Sequence, residues 1–141
     1  TTQLLKNLRL AVKKSGDASI INIASMYGLV SPDLRIYRSS KNSNPPFYGA
    51  AKAALLQWTK YAACEFGSEK IRFNAISPGA FPSPSVQKKT PDLIKKLNNK
   101  IPLGRIGQPR ELTGIVVMLA SNAGSYITGA NICLDGGLTC W

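Results

Sequence analysis

Three short apolar runs, separated by longer segments of helical periodicity, restrict this chain to a narrow set of folds. Residues 19–24 (SIINIA), 71–76 (IRFNAI) and 131–134 (NICL) read as strands. Near-continuous apolar runs of this length suit strands buried on both faces of a parallel sheet. Between the first two, residues 48–66 carry Ala51, Ala54, Leu55, Trp58, Ala62 and Phe66 as one apolar stripe, closed by Gly67. Leu4, Leu5, Leu8 and Val12 recur at helical spacing in residues 1–14, and the lack of a capping residue there places the expected helix start upstream. After the second strand, Pro82 and Pro84 predict an extended segment. Thr90 as cap and Pro91 in the first turn predict a helix to Lys100. Pro109 opens a further helix with Leu112, Ile115, Val116, Leu119 and Ala120 on one face. Strands alternating with helices in this order imply crossover connections and an α/β architecture of about three parallel strands with flanking helices.

Composition then excludes several chemistries. Among the 141 residues there is no histidine, which removes Ser-His-Asp and Cys-His triads and His-ligated zinc. Cys64, Cys133 and Cys140 form neither a CxxC pair nor an even disulfide framework, so no metal site is expected and the thiols read as buried or incidental. Lysine and arginine number 18 against 7 acidic residues, a net charge of +11. That balance raises nucleic acid as a partner, but the lysines are spread along the chain, only Lys88-Lys89 and Lys95-Lys96 are close together, and no nucleic-acid motif accompanies them. Neither a membrane span nor a signal-peptide pattern is present, so a cytoplasmic protein with no membrane partner is expected.

Proton chemistry without histidine falls to Tyr, Lys, Cys or a carboxylate, and Tyr48-Gly49-Ala50-Ala51-Lys52 is the segment equipped for it. A spacing of four puts Tyr48 and Lys52 on one helix face. The reference pKa of a phenol is about 10; a neighbouring ammonium and a helix N-terminus both favour its ionised form. Tyr37 and Lys41 share the same spacing, but Asn42-Ser43-Asn44-Pro45-Pro46 follows and cannot continue a helix. Tyr37 is therefore read as a loop residue that touches substrate. Ser25 stands directly after the first strand, at the edge where open parallel sheets bind ligands. Its hydroxyl there serves either to polarise a substrate carbonyl or only to cap its own turn. Pro78-Gly79 ends the second strand on the same edge and is either a ligand-approach point or an ordinary turn, as is Asp135-Gly136-Gly137.

Taken together, residues 20–28 (IINIASMYG), 48–55 (YGAAKAAL), 71–79 (IRFNAISPG), 102–111 (PLGRIGQPRE) and 126–137 (YITGANICLDGG) resemble, in order, the second half of the short-chain dehydrogenase/reductase family. The resemblance implies a Rossmann-like doubly wound domain, of which residues 1–141 form the carboxyl-terminal half, and NAD- or NADP-dependent interconversion of a carbonyl and an alcohol. It implies Ser25, Tyr48 and Lys52 as catalytic residues. Tyr48, Lys52, Pro78, Gly79, Phe81 and Ser83 fall beside the nicotinamide, and Tyr27 and Tyr37 beside the substrate. It also implies a homodimer or homotetramer, with Trp58 and Tyr61 on the pairing surface or in the core. Three departures stand out. The glycine-rich nucleotide fingerprint is absent, the family's catalytic asparagine falls before Thr1, and Ser25 and Tyr48 lie further apart than usual. Residues 29–46 therefore read as an insertion over the active-site edge. The first two departures leave room for a truncated or proteolysed piece that is inert without its amino-terminal half.

Overall fold

The computed structural model describes residues 2–37, 39 and 43–141; within the first helix the described side chains are Gln3, Asn7 and those from Arg9 onward. The expected stripe of Leu4, Leu5 and Leu8, and Lys41 in the insertion, lie outside the described residues. The chain runs α1 (Thr2–Lys14), β1 (Ala18–Ile23), α2 (Pro46–Phe66), β2 (Ile71–Pro78), α3 (Pro84–Lys89), α4 (Pro91–Lys100), α5 (Leu112–Ala120) and β3 (Asn131–Leu134), with short 3-10 turns at Met26–Gly28, Leu34–Ile36 and Pro109–Glu111 among the connections. The strands are parallel in the order β1-β2-β3. Ala18 pairs with Ile71 through to Ile23 with Ile76, and Ala75 pairs with Asn131 through to Pro78 with Leu134. This is the α/β, Rossmann-like sheet that the alternating pattern requires.

The period-2 alternation of the strands sorts their side chains between two helical layers. Ile71 and Phe73 of β2 pack with Ala62, Ala63 and Phe66 of α2, and Ile20 of β1 joins them. The Trp58 ring meets Phe73 edge-on with centroids 5.6 Å apart, and Phe66 lies at the same distance from Phe73. On the opposite face, Ser19 Oγ donates to Leu119 O at 2.7 Å, and the buried Arg72 donates to the carbonyls of Leu119 and Gly124 at 2.7 and 2.9 Å. The bonds to Leu119 O satisfy a carbonyl in the last turn of α5, which has no partner within the helix, and the bond to Gly124 O ties down the turn that follows.

The buried face of α2 differs from the predicted stripe. Leu56, Thr59, Ala62, Ala63 and Phe66 are buried, whereas Ala51 and Ala54 are exposed. Apolar periodicity missed this face because a polar residue sits at its centre. Thr59 Oγ1 accepts from Asn22 Nδ2 at 2.9 Å and donates to Leu55 O at 2.8 Å, so each buried group satisfies the other. Trp58 turns inward, while Tyr61 is 63% exposed.

Three further expectations are corrected. The segment after Pro82 is helical, not extended: Ser83 caps α3 by accepting from Val86 N, and Pro84 takes the first helical position, where a missing N–H costs no hydrogen bond. Thr90 does not cap α4; its hydroxyl donates back to Val86 O at 2.8 Å and closes α3. All three cysteines are free and exposed, not buried. No helix among the described residues is long and apolar enough to cross a membrane.

The buried Asn22–Thr59 pair gives a direct test. Thr59→Val leaves the Asn22 amide without an acceptor and is expected to cost about 1–3 kcal/mol in denaturant unfolding. The double change Asn22→Leu with Thr59→Val is expected to recover part of that loss, as an apolar pair of similar shape.

Candidate active site at the carboxyl edge of the sheet

The carboxyl end of β1 runs into the turn Met26–Gly28, and that turn lies directly against the first two turns of α2. Two glycines make the approach possible. A Cβ on Gly28 would stand 2.9 Å from the backbone carbon of Lys52, and a Cβ on Gly49 would stand 2.8 Å from Tyr27 O. Backbone therefore touches backbone from both sides, and no larger residue fits at either position. The consequence is that Ser25, at the start of the turn, and Tyr48 and Lys52, in the first turns of the helix, are held in one place.

Each of the three keeps a group available for chemistry. Ser25 is 7% exposed, and its Oγ accepts the Tyr27 N–H at 3.2 Å. Accepting uses a lone pair, so the capping role leaves the hydroxyl proton free to donate. Both readings of Ser25 are thus compatible. Tyr48 is half-buried in the first turn of α2, three residues beyond the cap Pro45. The ammonium of Lys52 lies 5.7 Å from the centroid of the Tyr48 ring and donates to Ile23 O at 2.8 Å. An ammonium has three donors, so two remain after the bond to β1.

The other candidates divide. Tyr27 and Tyr37 meet hydroxyl to hydroxyl at 2.9 Å, so the loop residue is brought to the turn beside Ser25. Burial, then the hydrogen bond to Tyr37 and the proximity of Tyr37 and Tyr48, push the Tyr27 phenol well above its ordinary value. Pro78 and Gly79 stand at the end of β2 on the same sheet edge as Ser25. A Cβ on Gly79 would fall 2.6 Å from Asp135 Cα, which is sufficient reason for glycine there. Phe81 lies over Gly107, whose N–H donates to Ala80 O at 2.9 Å. Ser83 is exposed, and its hydroxyl is engaged with Val86 N and with Ser85 Oγ.

Sequence reasoning took one carboxylate only as part of a turn and missed another. Asp135 is buried and accepts from Gly137 N, Thr139 N and Thr139 Oγ1 at 2.9, 3.0 and 2.6 Å. Burial pushes this carboxyl up, but the Thr139 hydroxyl and the two amides outweigh it and hold it below the ordinary carboxylate range. Asp33 caps the turn Leu34–Ile36 and also pairs with Arg35 and Lys100. The Asp before a short apolar segment was a legible cap signal; the reach to Lys100 was not. A cleft of about 760 Å³ between residues 27–34 and α2 includes Tyr27, Gly49 and Ala50, but not Ser25, Tyr48 or Lys52.

Comparison with known proteins matches this chain to a family. The family model described as enoyl-(acyl carrier protein) reductase matches residues 1–139. A tropinone reductase homolog of Arabidopsis thaliana is 40% identical over 130 residues, covering 91% of this chain and 39% of that protein. A short chain dehydrogenase from Leptospira borgpetersenii, crystallised with NAD+, superposes with a TM-score of 0.82 at 39% identity, over 98% of this chain and 52% of that one. The NADP complex of RhlG from Pseudomonas aeruginosa gives a TM-score of 0.78 at 33% identity, over 95% and 53%. The chain belongs to the short-chain dehydrogenase/reductase family, a class of oxidoreductases, and spans about half the length of the relatives it matches.

Two measurements check the local geometry. Gly49→Ala is expected to lower stability by about 1–3 kcal/mol, as for overpacking, read as a fall in melting temperature by circular dichroism. The second concerns the loop that carries Gly107. The Arg105 guanidinium, followed by the Gln108 amide, holds the Glu111 carboxyl down at about 2 against an ordinary 4.5. Its contribution to stability is complete above 4.5 and is lost as pH falls through about 2. Glu111→Gln is expected to flatten the acid limb of the stability profile in that window.

Proposed function

We propose that this chain supplies the catalytic, carboxyl-terminal half of a nicotinamide-dependent dehydrogenase or reductase that interconverts a carbonyl and an alcohol. The single observation that carries the reading is the placement of Ser25, Tyr48 and Lys52 around one backbone-on-backbone contact at the carboxyl edge of a parallel sheet. The length of the relatives, about twice that of this chain, supports the assignment as half of a larger domain.

The residues present suit a nicotinamide dinucleotide. Lys52 keeps two donors for the hydroxyls of a ribose, and Pro78 and Gly79 end β2 on the same edge as the free Ser25 hydroxyl. Phe81 and Ser83 follow along the same segment. When bound, such a group supplies the hydride acceptor or donor. Everything else falls to the chain. Ser25 donates its hydroxyl proton to the substrate oxygen and stabilises negative charge that develops there. Tyr48 gives a proton to that oxygen in reduction and takes it back in oxidation. The Lys52 ammonium, set on the Tyr48 ring, stabilises negative charge on the phenol oxygen when its proton has left. Residues 29–46 are the insertion that covers this edge, and Tyr27 and Tyr37 face the substrate. A homodimer or homotetramer in the cytoplasm is the matching assembly, with the exposed Tyr61 on the pairing surface. No observation favours the nucleic-acid alternative.

A second reading concerns the chain by itself. Among the described residues the outer edge of β1 pairs with no strand, and the polypeptide alone is then expected to turn over no carbonyl until an amino-terminal half is supplied.

In the full-length protein, Tyr48→Phe is expected to reduce turnover on a carbonyl panel by about 10²–10⁴-fold, followed by nicotinamide absorbance, with an unchanged circular dichroism spectrum. Turnover that survives this change at the wild-type rate would remove Tyr48 from the chemistry.

A further inference from the structure

Within the expected insertion, residues 33–37 are fastened in place rather than draped over the surface. Asp33 accepts the Arg35 N–H at 3.0 Å, takes the Arg35 guanidinium through Nε and Nη2 at 2.9 and 3.0 Å, and pairs with Lys100 at the end of α4. Three residues later Ile36, 7% exposed, sits in a core cluster with Ala80, Leu97 and Ile101. An ion pair on one side and a buried isoleucine on the other leave the next residue, Tyr37, little freedom. Its hydroxyl is delivered to 2.9 Å from that of Tyr27, which stands two residues after Ser25.

One hydrogen bond between two phenols uses one donor and one lone pair. A donor and three lone pairs remain, and no other bond to either hydroxyl occurs among the described residues. Burial, Tyr37 and the nearness of Tyr48 hold the Tyr27 phenol protonated, so Tyr27 brings a proton to the hydroxyl pair. Behind Tyr37 lies a cavity of about 660 Å³, lined in part by Ile36, Val86, Thr90 and Leu93. Its wall is apolar at Ile36, Val86 and Leu93 and charged at Asp92, Lys95 and Lys96, and Tyr37 joins it to the turn that bears Ser25.

The geometry points to a polar subsite: the paired hydroxyls of Tyr27 and Tyr37 receive a second oxygen function of the substrate, a hydroxyl or carbonyl close to the reacting carbon, while the apolar body of the substrate lies against the Ile36, Val86 and Leu93 side of the cavity behind Tyr37. This inference rests on the dehydrogenase reading and narrows its substrate class. A site built to bond a substrate hydroxyl discriminates strongly against the analogue that lacks it. Asp33 acts through Tyr37 as a positioning residue.

The experiment compares cyclohexanone with 2-hydroxycyclohexanone in the full-length protein supplied with reduced nicotinamide dinucleotide. Wild type is expected to favour the hydroxy ketone in kcat/KM by about 10–100-fold. Tyr37→Phe is expected to lower the preference for the hydroxy ketone over cyclohexanone, the ratio of their kcat/KM values, by about 10-fold. The rise in melting temperature that 2-hydroxycyclohexanone produces is expected to shrink in the same variant, a readout independent of turnover. Asp33→Asn is expected to raise KM for the hydroxy ketone alone, with kcat retained. If Tyr37→Phe lowers both ketones equally, or neither, while wild type turns them over, the subsite is wrong and the dehydrogenase reading stands. If wild type reduces neither ketone nor any other carbonyl tested, the dehydrogenase reading fails and the subsite with it.

Discussion

The contact between the turn Met26–Gly28 and the start of α2 is the constraint on which the rest of this structure depends. It is a contact between main chains, made possible by the absence of two Cβ atoms at Gly28 and Gly49. Side-chain packing adjusts by rotamer changes, whereas main chain at van der Waals distance does not. Ser25, Tyr48 and Lys52 come from segments separated in sequence, yet each lies within three residues of this contact. The bond from Lys52 to Ile23 O adds a third tie between the strand end and the helix. These ties hold the end of β1 against the start of α2 without help from any ligand.

The second layer of organisation is the handling of buried polar groups. Asn22 with Thr59, Arg72 with the carbonyls of Leu119 and Gly124, and Asn74 with Ile127 O and Ala130 N all lie within or beside the sheet. Each joins a strand to a segment that apolar packing alone would leave free to slide. Asn74 holds the approach to β3, and Ser77 Oγ bonds Asn131 Oδ1 at 2.8 Å across the β2–β3 pair. The register of the edge that carries Pro78 and Gly79 is thus set by hydrogen bonds as well as by the pleat.

Much of this was legible in the residues, and the parts that were not have physical causes. The three strands declared themselves because short, mainly apolar runs between helical segments mark a parallel sheet, although only β2 is buried along nearly its whole length. Tyr48 and Lys52 were legible because helical spacing fixes relative direction, and Tyr37 was separated from them because prolines follow it. The buried face of α2 was misread because a threonine made acceptable by an asparagine 37 positions away carries no local signal. The helix after Ser83 was misread because a proline signals extension or a helix start according to what precedes it. Asp33 was overlooked because the partner that matters, Lys100, is 67 residues distant. Local chemistry was readable; pairing across the fold was not.

The fastening of α2 at both ends has a mechanical consequence. The glycine contact grips its first turns, and the stack of Trp58, Phe66 and Phe73 grips its last ones. From Tyr48 to Phe66 is a rod of about 27 Å at 1.5 Å per residue. A tilt of one degree about the aromatic end would carry the phenol by about half an ångström over that length, already the tolerance of a catalytic constellation. The aromatic stack and the glycine contact, at opposite ends of α2, therefore fix the direction of the helix between them: one is the far bearing of a lever whose near bearing is two missing methyl groups.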